Sequence, residues 1–211
     1  QDCLPSVEGD QLTSLWQEVK HDLLELGLSE EGLKLVLKMI NAPELGGRFM
    51  VEGAAMNRHD NQIGGLAHHT FKMLRVLVAL LKNNPVLQEN IDLLTFGIRL
   101  HDIGKVYEYN DLELGEHWYA HHRIRGIEFL AAWKDEITAM YSSDFYHHIQ
   151  AIISGHHGEF GDRPTTLSAG IIHYIDTIES QVTGLLEDWE RNTGDQMFVR
   201  DWGYLAGFPK N

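Results

Sequence analysis

The sequence predicts an all-α fold in a single domain, and three observations support this prediction. Apolar residues recur with helical spacing along most of the chain. No segment alternates apolar and polar residues over a useful strand length before "DQMFVRDW" at 195–202. The chain has 211 residues, 43% of them hydrophobic, which suits one domain with a sizeable core. We therefore expect a helical bundle with a helical N-terminal extension and a short irregular C-terminal tail.

Two helices are expected before residue 41. The first ends at Gly27, and its apolar residues keep i, i+3, i+4, i+7 spacing: Leu12, Leu15, Trp16, Val19, Leu23 and Leu26. Ser29 can cap the second helix, which carries one apolar face: Leu33, Val36, Leu37 and Ile40. The following segment, 41–65, is rich in glycine and irregular, and loops of that length in compact domains are often functional.

The remaining helices follow in close succession. A third helix is predicted from about 66 to 82, where it ends at "NNP". A fourth begins near Asn90 and carries Leu94, Ile98, the pair His101 and Asp102, and Lys105 along one line. Further helices are predicted over about 120–133, 144–154 and 165–189.

Composition and charge exclude several classes of protein. The single Cys3 excludes a disulfide framework or a cysteine-based zinc site, and it fits a reducing compartment. The start "QDCLPSVEGDQL" lacks the features of a secretory signal, and no apolar run approaches the roughly 18 residues of a membrane span. A net charge of −14 without a basic stripe disfavours binding to long duplex nucleic acid. We expect a soluble cytoplasmic protein that does not bind membranes.

Histidine and aspartate residues fall at the ends of separate predicted helices. His68 and His69 begin the third, and His101 and Asp102 end the fourth. The other two pairs are His121 with His122, which begin the fifth, and His156 with His157, which follow the sixth. On the last helix, Asp176 lies on the apolar face formed by Ile171, Ile172, Ile175 and Ile178. Neutral imidazole and carboxylate together suit Mn, Fe, Co, Ni or Zn, whereas Mg and Ca prefer oxygen ligands.

Each of these signals has a simpler structural explanation. His101 and Asp102 could form an ordinary buried pair, because an unpaired buried charge is costly. Adjacent histidines also occur by chance: we interpret His147 and His148 as surface residues, and His21, His117 and His173 as solvated or core residues. The order H…HD…H…HH…D along one chain is the specific feature, and it favours a metal centre.

This order resembles the HD-domain metal-dependent phosphohydrolase superfamily, and within it the HD domain of YhaM-type 3′→5′ exoribonucleases. The similar stretches include "RLHDIGKVYEY", "HHRIRGIEF", "IISGHHGE" and "GIIHYIDTIES", and together with "FMVEGAAMNRHDNQIGGLAHHTFKML" they extend over residues 49–190. The resemblance implies six metal ligands, namely His69, His101, Asp102, His122, His156 and Asp176. It also implies that Arg58 and His59 line the substrate entrance and that His157 is a ligand or a substrate contact.

The domain organisation differs from that of the YhaM type, in which an OB-fold module helps to hold single-stranded nucleic acid. Only about 48 residues precede the similar region, and they predict two helices, not a five-stranded barrel. We expect a helical extension over 1–48, the HD domain over 49–190 and a tail over 191–211. A nucleotide, a cyclic nucleotide or a short oligonucleotide fits this arrangement better than long RNA, and the oligomeric state is left open.

Six protein ligands are too many for one open catalytic metal ion, so the resemblance implies two divalent transition metal ions bridged by Asp102 and a water. Manganese is expected first, with Fe, Ni, Co or Zn as alternatives. His69, His101 and Asp176 would hold one ion with Asp102, and His122 and His156 the other. Lys105, three residues after Asp102, could contact a phosphate oxygen, or it could pair with Glu108 or Asp102.

Three other functions keep much of the same ligand pattern. An HD-type di-iron oxygenase, similar to the inositol oxygenases, would keep the order of His and Asp residues. A non-catalytic nucleotide sensor would use the centre for binding alone, although a lost ligand would be expected there and none is lost. A mononuclear HD nucleotidase would not need His122 or His156.

Overall fold

The structure, a computed structural model, describes residues 6–54, 62–110, 113–158, 162–200 and 202–209. The helices in these segments are α1 Gly9–Glu25, α2 Glu30–Ile40, α3 Gly65–Asn83, α4 Ile91–Leu100, α5 Lys105–Glu108, α6 His122–Ala131, α7 Lys134–Met140, α8 Ser143–Gly155 and α9 Leu167–Arg191. Short 3₁₀ turns lie at Pro43–Leu45, Arg48–Met50 and Pro85–Asn90. Two small antiparallel hairpins complete the described chain: β1 Tyr109–Asn110 with β2 Glu113–Leu114, and β3 Gln196–Val199 with β4 Gly203–Ala206. The all-α prediction is confirmed.

Local sequence signals fix several of the helix ends. Gly27 adopts a positive φ of 106° just beyond α1, where a residue with a Cβ would be strained. Ser29 caps α2 by accepting a hydrogen bond from the Gly32 amide, as the sequence predicts. Ser142 and Thr166 cap α8 and α9 in the same way.

The core lies between α3, α4, α8 and α9, which pack on one another, while α1 packs on α3 and α2 on α4. Its centre is aliphatic, with Leu74, Leu94, Ile98, Ile152 and Ile172 all buried. This packing brings the end of α4 close to α3, α8 and α9. Residues at the end of α4 therefore meet side chains from distant parts of the sequence.

Several features differ from the sequence prediction, which assigned no element to α7 or to the β1–β2 hairpin. The fourth predicted helix is interrupted at His101–Gly104, where the chain turns before α5 resumes the helix. The predicted irregular C-terminal tail contains the β3–β4 hairpin, which buries Met197 and packs Gly207 against Trp189 on α9. Ile178, predicted on a buried face, is 52% exposed because the buried stripe of α9 runs through Ile175 and Glu179 and leaves Ile178 on the side facing solvent.

Within the described segments, none of the helices combines the length and the apolar character that crossing a bilayer requires.

Candidate metal centre

His101 and Asp102 lie in the turn that joins α4 to α5, at the centre of the bundle. Leu100 and Ile103 on either side of the pair are completely buried, so the two polar side chains are held in fixed positions. His101 is 1% exposed and Asp102 is 4% exposed. Burial of this kind is costly for polar groups unless they are paired or bind a ligand.

A close backbone contact brings α6 against this turn. A Cβ atom on Gly104 would lie 1.8 Å from the His122 carbonyl oxygen and 2.7 Å from the Gly126 nitrogen. Only glycine permits this approach, and the approach places the His122 ring beside Asp102. The spacing of His122 and Gly126 along α6 therefore has a direct steric reason.

The two carboxylate oxygens of Asp102 face different groups of side chains. Oδ2 lies 2.7 Å from Lys105 Nζ and 3.2 Å from His101 Nε2. Oδ1 lies 3.5 Å from His122 Nε2 and 3.4 Å from His156 Nε2. Asp102 thus stands between His101 on one side and His122 with His156 on the other.

His69 and Asp176 meet near the His101 side of this carboxylate. The Nε2 atom of His69, on α3, lies 3.2 Å from Oδ1 of Asp176, on α9. The rings of His69 and His101 are 5.6 Å apart between centroids. The six residues predicted as ligands therefore come together from α3, the α4–α5 turn, α6, the end of α8 and α9.

His156 and His157 follow α8 in a tight turn. Gly158 has a positive φ of 59°, and a Cβ there would lie 2.4 Å from the His173 ring. His173 donates a hydrogen bond from Nδ1 to the His156 carbonyl at 2.7 Å. His173, predicted as a solvated or core residue, thus supports the turn that presents His156, while His157 Nε2 lies 2.9 Å from His122 Nε2.

The donor atoms fit metal ions. They form two groups in which every ligand atom lies within 4.8 Å of the others, and both groups contain Asp102: the first is His69, His101 and Asp102, and the second is Asp102, His122, His156 and His157. His101 Nε2, His156 Nε2 and Asp102 Oδ1 are buried without a hydrogen-bond partner among the described residues. Buried polar atoms are nearly always satisfied, so three such atoms aimed at one place indicate a ligand. Asp176 contacts His69 but does not fall within the tighter first group.

The protonation states of the second group also suit metal binding. Burial lowers the pKa of His122, His156 and His157, that of His157 to about 4. These imidazoles are therefore neutral near pH 7, the form that donates to a metal ion. Burial alone would raise the pKa of the Asp102 carboxyl, yet Lys105 and His101 hold it well below its usual range.

The first group has a different charge state in the metal-free chain. Burial opposes a charge on His69, but hydrogen bonds and electrostatic attraction to Asp176 and Glu179 raise its pKa to about 10. His69 is therefore an imidazolium between two carboxylates when no metal ion is present. A cation at this position would take over the role of that proton.

Lys105 is held in place by two acceptors. Its Nζ lies 2.7 Å from Asp102 Oδ2 and donates to the Ala54 carbonyl at 2.6 Å. The alternative in which Lys105 pairs with Asp102 is therefore seen in the structure, whereas Glu108 pairs with His122 instead. Arg58 and His59, predicted at the substrate entrance, lie outside the described residues.

Two carboxylates at the centre were missed in the sequence. Glu179, on α9, accepts a hydrogen bond from His69 Nδ1, and Glu108, at the end of α5, accepts one from His122 Nδ1 at 2.6 Å. Glu179 lies three residues after Asp176 and thus on the same face of the helix, which is a signal that the sequence does contain. Glu108 ends the four-residue helix α5, which is too short to show a periodic pattern that would mark a buried face.

A helical bundle whose centre is built from a His–Asp pair and further histidines defines a class of metal-binding domain. The chain belongs to the HD domain family, whose model matches residues 66–181. HD domains bind divalent metal ions, and the His and Asp cluster described above could hold them.

The curated relatives are named as enzymes that cleave phosphodiester bonds. The chain is 31% identical over 136 residues to the dihydroneopterin 2′,3′-cyclic phosphate phosphodiesterase of Methanocaldococcus jannaschii, a match that covers 61% of this chain and 51% of the relative. It is 32% identical over 153 residues to the 3′-5′ exoribonuclease YhaM of Shouchella clausii, covering 68% of this chain and 46% of that protein. The YhaM protein of Bacillus subtilis is 30% identical over 149 residues, with coverages of 68% and 47%. The chain thus spans about half the length of these relatives. No solved structure matches it significantly.

Proposed function

We propose that this HD domain is a metal-dependent phosphodiesterase that acts on a nucleotide, a cyclic nucleotide or a short oligonucleotide. The observation that carries the proposal is the pair of buried ligand groups that share Asp102. The names of the relatives support the reaction class, since one is a cyclic phosphate phosphodiesterase and others are exoribonucleases.

The chain would hold two ions through the residues that the structure brings together. His69, His101 and Asp176 would hold one ion and His122 and His156 the other, with Asp102 between them and His157 as a further ligand or a substrate contact. Divalent ions supply Lewis acidity towards phosphoryl oxygens and make hydroxide available near neutral pH. Manganese is our first expectation, since imidazole and carboxylate donors suit it, with Fe, Co, Ni and Zn as the alternatives.

Lys105 has a geometry suited to binding substrate phosphate. An ammonium group carries three donors, and two of them are directed to Asp102 and the Ala54 carbonyl. The third N–H has no acceptor among the described residues, so it is available to a phosphate oxygen. Lys105 would then stabilise negative charge on the phosphoryl group as a point charge beside Asp102.

The charge distribution favours a small substrate. The chain has a net charge of −14, so the attraction for phosphate is confined to the centre and its bound cations. Each additional nucleotide of a long strand would lie over a surface that repels it.

We propose the division into an extension over 1–48, the HD domain over 49–190 and a tail over 191–211 as the unit that performs this reaction.

The test begins with metal-free protein that is reconstituted with Mn²⁺ and assayed against 2′,3′- and 3′,5′-cyclic nucleotides, dinucleotides and nucleoside monophosphates. Hydrolysis that depends on the metal and is lost on chelation supports the proposal. If iron-loaded protein consumes oxygen and no phosphoester is cleaved, the domain is an oxygenase instead. If nucleotides bind without turnover under any metal, it is a sensor.

A further inference from the structure

Four of the five histidines in the two ligand groups, all except His157, direct the same ring nitrogen away from Asp102. His101 Nδ1 donates to the Ile98 carbonyl at 2.8 Å, and His156 Nδ1 donates to the Ile153 carbonyl at 3.0 Å. His122 Nδ1 and His69 Nδ1 donate to carboxylates instead. Because the Nδ1 atoms carry these protons towards acceptors, the Nε2 atoms are left to face the centre.

The two kinds of acceptor differ in charge and in origin. The carbonyls of Ile98 and Ile153 lie three residues before their histidines in the same helix, so this contact is local and neutral. Glu179 is 110 residues from His69 in the sequence and Glu108 is 14 residues from His122. These carboxylates are brought to the imidazoles by the fold and not by helix geometry.

Glu179 is a buried carboxylate whose two oxygens are both paired with donors. Its side chain is 3% exposed, and Oε2 accepts from His69 Nδ1. Its other oxygen, Oε1, lies 2.6 Å from Lys72 Nζ and accepts from Thr183 Oγ1 at 2.6 Å. Burying a carboxylate costs desolvation energy even when donors surround it. A carboxylate that orients a histidine ligand of a metal ion accounts for this cost.

Glu108 holds His122, which belongs to the second ligand group. One oxygen, Oε2, accepts both from Nδ1 of the ring at 2.6 Å and from the backbone amide of the same residue at 3.1 Å. This double contact fixes the ring relative to its own backbone. His122 Nε2 is thereby directed towards Asp102 Oδ1, 3.5 Å away.

We propose that Glu179 and Glu108 are positioning residues, one for each half of the metal centre, which orient His69 and His122 and increase the electron donation of their Nε2 atoms to the ions. This inference rests on the proposed metal centre. Each ligand group then contains one histidine supported by a carboxylate and one supported by a neutral carbonyl, and the second group contains His157 in addition. The two negative charges lie outside the ligand groups, where they offset the charge of two cations without occupying coordination positions.

The test replaces each carboxylate by its neutral isostere and measures metal binding in the absence of substrate. Glu179→Gln should weaken the metal site formed by His69 and His101 by about 10- to 100-fold and leave the other site unchanged. Glu108→Gln should do the same to the site formed by His122 and His156. Stepwise titration of metal-free protein with Mn²⁺ or Co²⁺ resolves the two sites, and the Co²⁺ absorption spectrum reports their geometry.

Matched controls carry the same substitution on exposed glutamates of neighbouring elements, Glu190→Gln on α9 and Glu113→Gln on β2. Both should bind metal as the unmodified chain does. A second readout is the proton NMR resonance of Nδ1–H in the zinc-loaded protein, which is strongly deshielded when a carboxylate accepts it. One such resonance should move upfield in each variant, and those of His101 and His156 should stay.

The outcomes separate this inference from the proposed function. If both variants fold and bind two ions with unchanged affinity, the positioning role is wrong even where hydrolysis is observed. If the chain binds two ions and the variants behave as expected but no phosphodiester is cleaved, only the proposed function fails. If Glu179→Gln does not fold, Glu108→Gln decides the matter, because Glu108 is less buried and has no lysine partner among the described residues.

Discussion

At the scale of single residues, we expect Asp102 to matter most to the proposed metal centre, because one of its oxygens faces His101 and the other faces His122 and His156. Asp102→Asn keeps the volume of the side chain but removes the charge that both ligand groups share. We expect hydrolysis to fall below detection and the bound metal to fall to one ion or fewer per chain. Enzyme assays and elemental analysis would check this, with helical content followed by circular dichroism.

A matched control is Asp162→Asn, since that carboxylate is 78% exposed and pairs only with Arg123 among the described residues. It should behave as the unmodified chain. Turnover that survives in the Asp102 variant would remove this residue from the bridging role that we propose for it.

A second residue-scale prediction concerns the proton on His69. The pKa of His69 is raised to about 10 in the metal-free chain, so at pH 7.5 the imidazole is protonated. A metal ion can bind Nε2 only after the proton leaves, while Nδ1–H stays bonded to Glu179. Binding at this site should therefore release about one proton, and the association constant should fall roughly tenfold per pH unit as the pH is lowered below the pKa.

Calorimetric titration in two buffers of different ionisation enthalpy measures that release directly. Glu113→Gln, on the exposed strand β2, is the control and should release the same number of protons. Affinity for this site that does not vary between pH 6.5 and 8.5 would show that His69 is already neutral or does not bind the metal.

At the scale of elements, the close contact between the α4–α5 turn and α6 positions His122. Gly104→Ala would place a Cβ 1.8 Å from the His122 carbonyl oxygen, and because backbone atoms cannot move aside locally, α6 must shift. We expect a loss of about 1–3 kcal/mol in the free energy of unfolding. The metal site at His122 and His156 should weaken more than the site at His69 and His101.

The control for this change lies on α9. Gly170 is helical, and a Cβ added there would meet no atom of the described residues within 4 Å, so Gly170→Ala should raise the free energy of unfolding by about 0.4–1 kcal/mol. Thermal unfolding of the metal-free proteins compares the two variants. Equal stability of both would mean that the close approach is not a determinant of the fold.

The elements also show what could be predicted from the sequence. The helices were predictable because their apolar residues repeat with helical spacing, and the histidines could be placed because they lie at the ends of these helices. The break in the helix at His101–Gly104 could not be predicted, because the residues from Leu94 to Lys105 keep helical spacing across it. The contacts of Glu108 and His173 depend on the packing of separate elements, which local patterns do not encode.

On the scale of the whole molecule, the C-terminal hairpin with its exposed aromatic residues packs along the second half of α9. The hairpin packs Gly207 on Trp189, which is about 20 Å beyond Asp176 along α9. Phe198, Trp202 and Tyr204 are each more than 60% exposed, so they do not fill the core, and Phe198 lines a surface cavity together with Ser180 and Gln181 of α9. These aromatic side chains therefore lie on the surface beside the second half of α9.

The last prediction concerns the length of the substrate and follows from the charge of the whole molecule. With a net charge of −14, the surface beyond the centre repels phosphates, whereas two bound cations attract a phosphate only within the pocket. We expect kcat/KM for single-stranded oligonucleotides to change little beyond two or three nucleotides, and salt to lower it only weakly. Measuring kcat/KM from dinucleotide to decanucleotide at two salt concentrations tests this. A steep rise with length that added salt abolishes would reveal a basic track for nucleic acid, and the domain would then act as an exoribonuclease on longer strands.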